Sequence, residues 1–145
     1  MRGVNTECAV DSKVSGARVG APFNGSQLCK SFGGAGSTCA SHDDGDPVGQ
    51  YDKEKHRWLL TQFQVTVTPY LECVAISDGE DAAGSYHVYA YNYGTDFVDY
   101  HKIGVWSDSY NITYNVVANG TTFKGGEVCA LKRQARPAAH PAGGR

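Results

Sequence analysis

The sequence predicts an all-β fold assembled from repeats of one four-stranded antiparallel unit. Three observations carry this. Tyr (9 residues), Val and Thr are common, Gly reaches 18 of 145 residues, and Met occurs once. β-Branched and aromatic side chains suit a pleated, half-buried surface, and glycine suits tight turns. A short Glu-Cys segment recurs three times, and between its copies lie runs that alternate with the two-residue period of strands.

The recurring segments are Thr6-Glu7-Cys8-Ala9-Val10, Leu71-Glu72-Cys73-Val74-Ala75-Ile76 and Glu127-Val128-Cys129-Ala130-Leu131, with cysteines 65 and 56 residues apart. A second register agrees: Gly45-Asp46-Pro47 opens the run to Tyr51-Asp52, and Val98-Asp99-Tyr100 opens the run to Trp106-Ser107-Asp108. One whole unit is predicted over 46–93, with strands at 47–51, 57–67, 70–77 and 85–93. The helical candidate Asp52 to Leu60 is short and reads as a turn. The next unit, from Asp99, has three strands, and 1–32 supplies a third and a fourth strand without a first and second. Residues 1–133 are therefore read as half a unit, a whole unit and most of another. The Pro-, Ala- and Gly-rich stretch 134–145 is expected to be a disordered tail, because it cannot add usefully to a sheet.

Units of this size with several short strands each suggest β-propeller blades. About two blades of four antiparallel strands leave open sheet edges, and open edges invite pairing with another chain. Two readings follow: the chain is part of a longer protein, or it completes a ring by homo-oligomerisation as a dimer or trimer. A compact β-sandwich monomer is the competing architecture.

Several of these runs resemble a known group. Gly45-Asp46-Pro47-Val48-Gly49-Gln50-Tyr51-Asp52, Arg57-Trp58-Leu59-Leu60-Thr61-Gln62-Phe63, Glu72-Cys73-Val74-Ala75-Ile76-Ser77 and Asp99-Tyr100-His101-Lys102-Ile103-Gly104-Val105-Trp106 resemble large secreted bacterial proteins that look like β-propellers and are described as hypothetical or glycosyl-hydrolase-like. The resemblance covers roughly 4–133. It implies a propeller fold and an exported, secreted or periplasmic bacterial protein rather than a reaction. Met1 to Val10 carries no apolar signal core.

Net charge is -2 and no Lys/Arg run exceeds Lys132–Arg133, so there is no basic footprint for nucleic acid. No stretch reaches the roughly 20 apolar residues of a membrane helix. The five cysteines have no zinc-type spacing. Buried thiols and one disulfide are both open, and Cys39 with Cys73 is the pair expected if a bridge forms.

The most polar cluster is His42-Asp43-Asp44-Gly45-Asp46. Clustered carboxylates repel one another, and a hard cation such as Ca²⁺ relieves this by taking oxygen ligands. A solvated turn is the plain alternative. Asp46 and Asp99 occupy equivalent places before the first strands of successive units, where a propeller lines its central channel, and Asn5 and Asn115 are possible amide donors to the ion. The expectation is thus a Ca²⁺ site of Asp43, Asp44, Asp46 and Asp99, with His101 or His42 as general base, in a calcium-dependent hydrolase of small lactones or esters. Exposed loop histidines are the alternative for both. No nucleophile elbow, phosphate loop or zinc-protease motif is present. The alternative function is a non-catalytic extracellular module that binds glycan or protein through Tyr and Trp. Tyr86, Tyr89, Tyr91 and Tyr93 are candidate stacking residues for it, against the reading that they pack between sheets.

Overall fold

The computed structural model describes residues 1–31 and 38–133. Its strands form three antiparallel sheets in chain order. The N-terminal sheet holds β1 (Arg2–Val4), β2 (Glu7–Asp11) and β3 (Arg18–Asn24). The central sheet holds β4 (Val48–Asp52), β5 (Arg57–Gln64), β6 (Tyr70–Ser77) and β7 (Tyr86–Gly94), and the C-terminal sheet β8 (Phe97–Val105), β9 (Ser109–Ala118) and β10 (Thr122–Lys132). Within each sheet, strands adjacent in sequence are adjacent in space. A one-turn helix, α1 (Gly25–Leu28), and two short 3-10 turns, Cys29–Ser31 and Thr38–Ala40, lie between the first two sheets in sequence. No helix among the described residues is long and apolar enough to cross a membrane.

Turn chemistry sets the hairpins. β9 and β10 are joined through Asn119-Gly120, with φ of 51° and 67°. These positive values at both central positions are what a type I′ turn requires, and Asn-Gly adopts them at little cost. Between β4 and β5 the Asp52 carboxylate accepts the N–H groups of Glu54 and Lys55, both at 3.0 Å, and closes the turn.

The central sheet is covered on both faces, so β5 and β6 are buried almost throughout. Alternation divides their side chains. Val74 and Ile76, with Tyr89, Tyr91 and Tyr93 of β7, pack against Val98, Ile112, Tyr114 and Val116 of the C-terminal sheet. The opposite face sends Leu60 and Ala75 against Cys8, Phe23 and Leu28, and Leu71 and Cys73 against Cys29 and Cys39. The β7 tyrosines are thus packing residues between sheets, and Tyr86 turns to the N-terminal side.

Two details differ from the sequence expectation. β5 ends at Gln64 rather than Val67, because Asp44 takes the N–H groups of Val65 and Thr66 out of the ladder, at 2.5 and 2.7 Å. β1 was not anticipated; it gains its ladder from β2, with Arg2 opposite Ala9. The fourth strand of the last unit and the tail fall at 134–145, outside the described residues.

Cys39 and Cys73 form a disulfide across a separation of 34 residues, tying the turn at 38–40 to β6. Cys8 and Cys29 are buried thiols, and Cys129 is a half-buried one. Closing a loop of this size restricts the unfolded chain by roughly 3–4 kcal/mol. Cys39→Ser, or dithiothreitol on the native protein, is therefore expected to lower the urea midpoint by a corresponding amount, read by tryptophan fluorescence.

Candidate functional site

The acidic turn before β4 is occupied by structural work. Asp43 accepts the Ser26 N–H at 2.8 Å, the Ser26 hydroxyl at 2.6 Å and the Asn24 amide at 3.2 Å, which fastens the start of α1. Gln27 completes that start by accepting the Asn24 N–H at 2.7 Å. Asp44 accepts the Thr66 hydroxyl at 2.6 Å besides its two backbone donors. Burial opposes its charge, but the hydrogen bonds from Thr66 and Val65, aided by His42, hold its carboxyl below the usual range. Asp46 is exposed, with a φ of 48°. Asp99 lies inside β8 rather than before it, paired across the ladder with Asn115 and next to a bulge at which Tyr100 takes a φ of 54°. Among the described residues, no three His, Cys, Asp or Glu side chains are grouped to hold a metal ion.

The two histidines part company. His42 is half-buried in its own turn, its Nδ1 3.0 Å from the Ser41 hydroxyl and 3.3 Å from the Thr38 carbonyl oxygen. His101 is buried in the seam between the central and C-terminal sheets, its Nδ1 3.6 Å from Glu72 Oε2, with both side chains wholly out of water. Neither makes a hydrogen bond of good geometry. Phe63 stands edge-on to the imidazole at 5.9 Å. Burial pushes the Glu72 carboxyl well up. Burial also brings His101 down to about 4, with Asp46 acting in the other direction. Burial thus favours the neutral form of both groups. Of the sequence candidates, Asp46 lies within electrostatic reach of His101, and Asp44 within that of His42.

A different constellation closes the lower end of the same seam. The Asp52 carboxylate is fully buried and forms a fork with Arg133, Nε at 2.7 Å and Nη2 at 2.5 Å. Arg133 also donates to Glu54 at 2.7 Å and to the Ser107 carbonyl at 2.9 Å. The Tyr110 hydroxyl donates to Asp52 at 2.7 Å and accepts from Arg57 Nε at 2.7 Å, and Arg57 Nη2 reaches the Arg133 carbonyl. Burial disfavours the Asp52 charge, but the hydrogen bonds from Arg133 and Tyr110 prevail and hold its carboxyl well below the usual range. Above this floor lies a cleft of about 420 Å³, lined by Gln50, Tyr51, Asp52 and Lys53 on one side and Val105, Trp106 and Ser107 on the other. Trp106 is 69% exposed. Tyr51 is braced by the Trp58 ring at 4.9 Å.

No family model, curated protein or solved structure matches this chain. Its functional reading therefore rests on its own geometry.

The cleft was not singled out by sequence reasoning. Its one trace there is the repeated register that sets Tyr51-Asp52 and Trp106-Ser107-Asp108 at matching strand ends. Nothing in that pattern pairs Asp52 with Arg133, 81 residues away.

The shifted groups give a pH profile of stability. Asp44 and Asp52 are lowered in the fold, so their contribution is present above the ordinary carboxylate pKa near 3.9 and is lost as pH falls through the folded values. His101 is also lowered, so its share begins to be lost as pH drops below about 6.5. Glu72 is raised, so its share is present at low pH and is lost as pH rises through its folded value. Glu72→Gln removes that last loss. Its stability relative to wild type is expected to increase from pH 5 to pH 9 in urea titrations.

Proposed function

We propose that this chain is a non-catalytic binding module of an exported protein, with its ligand site in the cleft where β4 and β8 end. The observation that carries this reading is Trp106, exposed on the rim above a floor held rigid by the Asp52–Arg133 fork. An exposed indole that the core does not need, beside a preorganised polar surface, suits stacking of a ligand. The cleft volume falls within the range of small-ligand sites, about 300–1,000 Å³. The disulfide supports an oxidising, extracytoplasmic setting.

The blade reading belongs to the same proposal. It is supported by three successive antiparallel sheets stacked in chain order, with the leading strands β4 and β8 in contact. Among the described residues, β3 and β10 are edge strands, which a second copy could pair with to extend a ring.

Trp106→Ala is expected to retain the wild-type thermal midpoint and to lose at least about tenfold in retention on insoluble polysaccharide, the loss typical of an aromatic anchor. Retention equal to wild type would count against the reading.

A second reading, the calcium-dependent hydrolase of lactones or esters, keeps two electrostatic pairings in its support, Asp46 with His101 and Asp44 with His42. It requires the buried seam to open toward Asp46 and Asp99. Turnover of a lactone and ester panel that EDTA abolishes and Ca²⁺ restores would favour it, whereas equal inactivity in both conditions leaves the binding module standing.

A further inference from the structure

We propose that the cleft selects an uncharged polysaccharide over acidic glycans and other anions. The inference rests on the binding-module reading and adds the ligand class. Its basis is the way the charges of the cleft are already spent on one another.

Arg133 is the group an anion would seek, because its planar fork matches carboxylate and phosphate. Here that fork is taken. Nε and Nη2 go to the two Asp52 oxygens, and Nη1 is shared between Glu54 and the Ser107 carbonyl. Asp52 is equally saturated, accepting from Arg133, Tyr110 and the backbone of Glu54 and Lys55. An acidic sugar could reach the guanidinium only by displacing a buried carboxylate, which would leave an unpaired charge out of water. Lys53 is exposed at the rim. A lone exposed cation contributes little and is screened by salt.

Apart from Lys53 and the Arg133-bound Glu54, what the cleft presents is uncharged. The Trp106 face is open to solvent, and the Tyr51 ring is held by Trp58, with its hydroxyl 3.4 Å from His56 Nδ1. Such faces suit the C–H surface of a pyranose, and their fixed position lowers the cost of ordering a ligand. Gln50 and Ser107 offer neutral hydrogen-bonding groups to sugar hydroxyls. Platform and hydroxyl-matching groups thus converge beside an Arg133 already taken up, with the exposed Lys53 as the cation at the rim.

The test is affinity electrophoresis of the intact protein through gels containing neutral polymers (a mixed-linkage β-glucan, a glucomannan, a dextran) or acidic ones (alginate, polygalacturonate), at about 50 and about 500 mM NaCl. Salt at these levels strongly screens exposed charges and leaves neutral stacking in place. The expected result is retardation by at least one neutral polymer, unchanged by salt and weakened at least about tenfold in Trp106→Ala and Tyr51→Ala. Phe123→Ser removes an equally exposed aromatic at the opposite end of the C-terminal sheet and should bind as wild type. Salt-sensitive binding to acidic polymers alone, still dependent on Trp106, would overturn the ligand class and keep the site. Binding that ignores Trp106, or no binding to any polymer, would overturn both the class and the module reading.

Discussion

The buried Asp52 carboxylate is the constraint on which the arrangement of the sheets depends. It sits at the end of β4, closes the turn to β5, receives Tyr110 from β9 and is clasped by Arg133 just beyond β10. A charge out of water is tolerated only when paired and fully hydrogen-bonded, and here five donors meet that need. Because the donors come from both sheets, the network fixes where the C-terminal sheet docks on the central one. Hydrophobic contact along the rest of the seam, through Val74, Val98, Ile112 and Val116, is strong but unspecific in register. The fork supplies the register.

Within the seam, the apolar packing surrounds a pair that it does not satisfy. Glu72 and His101 face one another with no hydrogen bond of good geometry to either. The low dielectric that makes the Asp52 fork strong also favours the uncharged forms of these two groups. One carboxylate of this interface is thus stabilised as an anion and the other as an acid. Donor count separates them.

Much of the fold was legible in the sequence. The whole unit, its four strands and their order follow from alternation and turn residues, and the observed ends of β4, β6 and β7 lie within about a residue of expectation. The sequence points to Cys39 with Cys73 if a bridge forms, and the fold joins that pair. Boundaries failed where a side chain from elsewhere competes for backbone donors, as Asp44 does at Val65, since no local pattern records a partner 21 residues away. The site was less legible for the same reason. Asp43 and Asp44 stand in a cluster that looks like a cation cage, yet each is consumed by N–H and O–H groups that only the fold brings near. Arg133 carried no signal beyond a basic pair, and its role appears only once three segments meet.

The cleft bridges the seam, with Tyr51 on one sheet and Trp106 on the other. Under the binding-module proposal, a ligand lying across both rings would act as an external staple, because it would bind the docked form and have nothing to grip once the sheets part. Occupancy and docking are then linked equilibria: saturation raises the free energy of peeling the C-terminal sheet away by an amount set by ligand concentration over its dissociation constant. In a crowded polymer matrix such a module would be held together by what it holds.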